Sequence, residues 1–151
     1  MRTSDQPGIR SRGFRVIIAA VSALVLLGGG VAHAAAPVPL GGGSGLVVNG
    51  DTLCTLTTIG TDNRGNLIGF TSAHCGGPGA VVAAEADQEA GIVGTMVAGN
   101  DVLDYAVIKF DPQKVRPVDE VNGFRIDGIG PDPTFGEVAC KLGRTTGYSC
   151  G

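Results

Sequence analysis

The chain has 151 residues, with 26 glycines, eight prolines, no tryptophan and a formal net charge of −3 at neutral pH. That length suits one ordinary domain. The acidic balance disfavours nucleic acid and anionic lipid as partners, since both require clustered Lys and Arg and no basic stripe follows Arg15.

The first residues read as a targeting segment. Arg2, Arg10, Arg12 and Arg15 form a positive start, and residues 16–27 are apolar apart from Ser22. Gly28 to Gly30 then breaks any helix, and Ala32-His33-Ala34 places small residues where a signal peptidase reads them. The pattern predicts a signal peptide over 1–34, with no adjacent arginine pair to favour a twin-arginine route. The alternative is an uncleaved anchor, because residues 16–36 approach the roughly 20 apolar residues that span a bilayer. The triple glycine and the Ala-x-Ala favour cleavage, hence a protein secreted or held in the cell envelope, with no stable membrane association afterwards. Removing 1–34 takes four of the eleven basic residues and one of the fourteen acids, leaving a net charge of −6.

Residues 35–46 are rich in Ala, Pro and Gly and are expected to form a flexible leader. Its Gly41-Gly-Gly-Ser-Gly45 follows no strand and precedes no helix, so it makes a poor phosphate loop. Strand signals dominate from 47 onward. Cys54-Thr-Leu-Thr-Thr-Ile59 alternates and is β-branched, Thr61-Asp-Asn-Arg-Gly-Asn66 is a turn cluster, and Leu67-Ile-Gly-Phe-Thr71 is a second apolar run, together predicting a hairpin. Residues 81–90 alone have helical composition, without clear caps. Residues 92–97 and 105–110 are further strands. Four prolines between 111 and 136 predict an irregular connection, and residues 138–142 and 145–150 flank Gly143-Arg144 as a last hairpin. Many short strands without long helices imply an all-β barrel or sandwich. Leu53, Leu56, Ile59, Leu67, Ile68, Phe70, Val107, Ile108 and Phe110 supply its expected core.

All four cysteines, Cys54, Cys75, Cys140 and Cys150, follow the signal segment, and an oxidising compartment favours pairing. Four cysteines allow three connectivities, among which sequence alone does not choose; neighbour pairing, Cys54–Cys75 and Cys140–Cys150, is the favoured one. Spacings of 21 and 10 with one remaining histidine do not match structural zinc patterns, so no metal is expected. No cofactor signal is present.

His74 is the single histidine after residue 34. Such a histidine is more often structural, but its near-neutral pKa suits proton transfer. Asp104 leads directly into the apolar run Tyr-Ala-Val-Ile108. A carboxylate there serves either as an ordinary strand-start residue or as an acid that orients a histidine. Asp101 is its rival and lacks a following apolar run.

Thr71-Ser-Ala-His-Cys75 resembles the histidine signature of chymotrypsin-like serine peptidases, and Asp104-Tyr-Ala-Val-Ile108 resembles their aspartate signature. Gly136-Glu-Val-Ala-Cys-Lys-Leu-Gly-Arg-Thr-Thr-Gly-Tyr-Ser-Cys-Gly151 resembles the disulfide hairpin that opens the second barrel in the bacterial streptogrisin and α-lytic type. The three occur in the family's chain order and cover about 47–151. Ser72, where alanine is common, and residues 111–132 depart from the pattern. The resemblance implies an antiparallel double β-barrel with the first barrel present and the second incomplete. It also implies His74 as general base, Asp104 as its orienter, Cys54–Cys75 bracing the histidine strand and Cys140–Cys150 bracing the hairpin. The implied partner is a peptide or protein substrate.

The family's nucleophile lies in a Gly-Asp-Ser-Gly-Gly type loop beyond that hairpin, and these 151 residues contain no such loop. The expectation is therefore a peptidase domain truncated before its serine, lacking also the oxyanion-hole amides and the specificity pocket. Ser149 matches a non-catalytic position. Ser44 has no better claim, and Ser72 is expected to point away from His74. A non-catalytic secreted binding module and a purely structural β domain are the alternatives. Either way, unpaired edges of the last hairpin predict a loose C-terminal third.

Overall fold

A computed structural model describes residues 36–151; the predicted signal peptide, 1–34, lies outside the described residues. The architecture is all-β. Strands β1 (Val38–Leu40), β2 (Gly45–Val48), β3 (Thr52–Thr55), β4 (Thr58–Thr61) and β5 (Leu67–Thr71) are followed by a 3-10 turn, Ala73–Cys75. Then come β6 (Val81–Ala84), β7 (Asp87–Asn100), β8 (Tyr105–Phe110), β9 (Val115–Pro117), β10 (Glu120–Val121), β11 (Phe124–Arg125), β12 (Cys140–Gly143) and β13 (Gly147–Cys150).

Seven strands form one antiparallel sheet in the order β3-β2-β6-β7-β8-β5-β4. Its two outermost strands, β3 and β4, are consecutive in the chain and separated by Leu56 and Thr57 alone. Leu56 N–H donates to Ser44 O beside β2, whereas Thr57 N–H donates to Phe70 O on β5. One peptide link therefore passes from one margin of the sheet to the other, and the sheet must curl into a half-barrel to allow it. Register shifts on both sides of β7 add the local bend and twist that curling needs.

The concave face is filled by Leu46, Val48, Leu56, Val82, Val93, Met96, Ile108 and Phe110, each at most 2% exposed. Inward positions alternate with outward ones along β8, where Ala106, Ile108 and Phe110 are buried. Residues 105–110 and 67–71 form strands where the sequence places them. The phase differs from expectation in two of the first strands. In β5 the inward set is Leu67, Gly69 and Thr71, which leaves Ile68 half-buried and Phe70 exposed. In β3 the inward residue is Cys54, so Leu53 stands 45% exposed. A one-residue change of phase exchanges the two faces of a strand.

Three other expectations are corrected. Within the segment expected to be a flexible leader, Val38–Leu40 is a strand that pairs in parallel with β9, burying Val38 and Leu40 against the core. Pro39 sits on its exposed face, where proline is tolerated in a strand that pairs on one side. The stretch 81–90 is not helical. Val82 and Ala84 bury every second side chain, and β6 turns at Glu85 and Ala86 into β7. The connection 111–136 is mostly irregular but carries β9 and the short β10–β11 pair.

β12 and β13 form their own two-stranded sheet, with Gly143 opposite Gly147 and a loop of Arg144, Thr145 and Thr146. Gly147, the first residue after that loop, has φ +65°, a left-handed conformation that glycine adopts freely. The cysteines pair as Cys54–Cys75 and Cys140–Cys150, a pairing that an oxidising compartment sustains.

Replacing Ile108 by Ala should lower unfolding free energy by about 2–5 kcal/mol in a denaturant titration. Leu53→Ala should cost less than about 1 kcal/mol, because that side chain already meets water. A reversal of that order would contradict the phase of β3.

Candidate functional site

His74 occupies the middle of the 3-10 turn that follows β5. Both flanks of that turn are tied to β3. Thr71, a buried polar residue, donates its Oγ1 hydroxyl to Thr55 O at 2.8 Å. Cys75 is joined to Cys54. The backbone around His74 is thus fixed from two sides while its side chain stays 72% exposed.

Asp104 is the last residue of the β7–β8 turn, directly before Tyr105, which pairs with Asn100. It adopts φ +49°, a left-handed conformation that Asp tolerates better than most residues. From there its carboxylate reaches back to the 3-10 turn. The backbone N–H of His74 donates to Oδ1 at 3.0 Å. The ring Nδ1 lies 3.0 Å from Oδ1 and 2.8 Å from Oδ2. The backbone N–H of His74 is the largest influence holding the Asp104 carboxyl below the ordinary aspartate range, and the imidazole bond and charge add to it. An anionic Asp104 selects the tautomer of His74 that carries its proton on Nδ1. Nε2 then remains an acceptor, and it makes no hydrogen bond among the described residues.

The structure brings His74 and Asp104 together as the sequence motifs anticipate. Asp101 forms no hydrogen bond to His74. His74 opens onto a cleft of about 720 Å³. One side is made by Leu53, Cys54 and Thr55 of β3, and the other by Leu142, Thr145 and Thr146 of the last hairpin. Ser72 lines the same cleft, contrary to the expectation that it points away. Residues 72 and 74 are two apart, so even a continuing strand would have set them on one face; here a 3-10 turn follows Ser72. No serine hydroxyl is hydrogen-bonded to His74 among the described residues. Nor do three His, Cys, Asp or Glu side chains converge to hold a metal ion among the described residues.

Sequence reasoning missed the hairpin's part in the cleft and the glycines beneath it. Gly42 and Gly43 also line the cleft, yet a glycine-rich run reads as a linker until its contacts are known. The chain matches no protein-family model and no curated protein.

Nitrogen-15 NMR of the imidazole should show neutral His74 as the Nδ1–H tautomer, reverting toward Nε2–H in Asp104→Ala. Because the Asp104 carboxyl is held low in the folded state, its bonds persist from neutral pH downward. They are lost only as pH falls through that lowered value, beneath the ordinary aspartate pKa of about 4. A tautomer indifferent to Asp104, or an interaction that strengthens in acid, would refute this account.

Proposed function

We propose that this chain is an exported member of the chymotrypsin-like serine peptidases of the bacterial streptogrisin and α-lytic type. In this reading the half-barrel is the first of two barrels, and β12–β13 is the opening hairpin of the second. His74 is the general base and Asp104 its orienting acid. The observation that carries the reading is the Asp104 carboxylate bonding both the backbone N–H and the ring of His74 at the mouth of a cleft.

The chemistry follows from which nitrogen is engaged. Asp104 occupies Nδ1, so Nε2 is the site that takes a proton from a serine hydroxyl as its oxygen attacks a peptide carbonyl. The resulting imidazolium is stabilised by the Asp104 anion, and the same Nε2 returns the proton to the departing amine. The serine and the amides that stabilise the oxyanion are not supplied by these 151 residues, which contain no Gly-Asp-Ser-Gly segment. Peptide hydrolysis therefore requires a serine-bearing segment to complete the site. A non-catalytic secreted peptidase-like binding module is the second reading. It is favoured by the absence, among the described residues, of any serine hydrogen-bonded to His74.

The exported chain alone should release no peptides from casein above background. Joined after Gly151 to the serine-bearing second-barrel segment of a streptogrisin-type enzyme, it should gain hydrolysis. That activity should fall about a million-fold in kcat with His74→Ala and roughly ten-thousand-fold with Asp104→Asn. A folded, disulfide-bonded fusion that labels with no serine-directed phosphonate and cleaves nothing would sink the peptidase reading. Cleavage by the chain alone that depends on His74 would overturn the missing nucleophile.

A further inference from the structure

The last hairpin shares no strand ladder with the seven-stranded sheet, yet it forms one wall of the His74 cleft. Its hydrogen bonds to the half-barrel come from its turn, and Tyr148 of β13 also packs its ring against Phe124 of β11. The Arg144 backbone N–H donates to Thr55 Oγ1 at 2.9 Å, next to the Cys54 disulfide. The Arg144 guanidinium grips Glu85, at the β6–β7 turn, with Nε 2.9 Å from Oε1 and 2.7 Å from Oε2, and with Nη2 also on Oε1. Both side chains are about two-thirds shielded, at 32% and 29% exposure.

The pair lies over Gly45. A Cβ at that position would overlap Glu85 Oε2 and crowd Arg144 Cγ. Two residues earlier, a Cβ on Gly43 would overlap Leu142 of β12. The glycine run that suits no phosphate loop is thus a bare platform onto which the hairpin settles.

We propose that Arg144 is a positioning residue: paired with Glu85 above Gly45, it latches the last hairpin to the half-barrel and so sets whether the cleft beside His74 has its second wall. A bidentate guanidinium–carboxylate pair suits this role, because it fixes orientation as well as distance. Undocking would leave a lone two-stranded hairpin, which is marginal in water even when its open end is closed by a disulfide. The latch does not depend on the peptidase reading, and its readout is backbone protection, not hydrolysis.

The bond to Arg144 is the main cause holding the Glu85 carboxyl below the ordinary glutamate range. A group of depressed pKa contributes above its ordinary value and stops contributing as pH falls through the lowered one. Glu120 is the other charged side chain lining the groove around Glu85 and Arg144.

Amide hydrogen exchange on the full chain tests the proposal. In Glu85→Gln, Arg144→Gln and Gly45→Ala, protection in β12–β13 should drop about fivefold, as expected for losing a shielded bidentate pair. Protection in β7 and β8 should stay unchanged. The charge-reversed double variant, Glu85→Arg with Arg144→Glu, should regain most of it. Gly60→Ala, a glycine with open space around its Cβ position, should have no effect. Wild type should lose hairpin protection below about pH 4, a step absent from Glu85→Gln. Unchanged hairpin protection in Glu85→Gln and Gly45→Ala would overturn the latch. So would a double variant that stays unprotected over an intact half-barrel, or a loss spread equally through β7 and β8.

Discussion

The two-residue link between β3 and β4 is the constraint on which the remaining structure depends. Leu56 and Thr57 are neighbours in the chain, but their backbone amides bond to opposite margins of one seven-stranded sheet. A flat sheet would hold those margins many strands apart, at nearly 5 Å per strand. Curling is thus obligatory, and the side chain of Leu56, fully buried, ends up inside the curl. The same geometry brings the end of β5 beside β3. Thr71 can then reach Thr55, and Cys75 can reach Cys54. The position of His74 follows from closing the sheet, not from any preference of its own segment.

Asp104 shows how a single carboxylate couples fold to chemistry. It accepts the backbone N–H that the 3-10 turn leaves free and also the ring nitrogen of the residue in that turn. Fixing the turn and fixing the tautomer are therefore one act. The left-handed backbone at Asp104 is what points the carboxylate out of the β7–β8 turn and toward its partner. Such a conformation carries strain in most side chains and persists where the surroundings over-determine it. Here the overdetermination is visible as three acceptor contacts from one residue.

The two disulfides do different work. Cys54–Cys75 is buried with the core and closes a stretch of 21 residues, a constraint on the unfolded chain worth on the order of 3 kcal/mol. Cys140–Cys150 is exposed and closes the open end of a hairpin whose own burial is slight. For that hairpin the covalent closure and the Arg144 grip replace the apolar core that the half-barrel possesses. Its contribution to the His74 cleft depends on polar contacts with Thr55 and Glu85 and on a steric fit to the glycine run, not on a shared sheet.

The sequence by itself determined the all-β class, the strands at 67–71 and 105–110, the terminal hairpin and the residues that meet at the site. Each rests on local information. Alternation and β-branching mark strands, and two short motifs, Thr71–Cys75 and Asp104–Ile108, single out the histidine and the aspartate through their resemblance to peptidase signatures. Only the tertiary structure decided the phase of β3 and β5, which put Leu53 and Phe70 outside and Cys54 and Thr71 inside. It also decided the fate of 38–45, which reads as linker in composition. Val38 and Leu40 become core and the glycines become a docking floor, because residues some 75 to 100 positions later pack on them. Phase and platform are set by which neighbour arrives, and that information lies in contacts distant along the chain, where no local pattern records it.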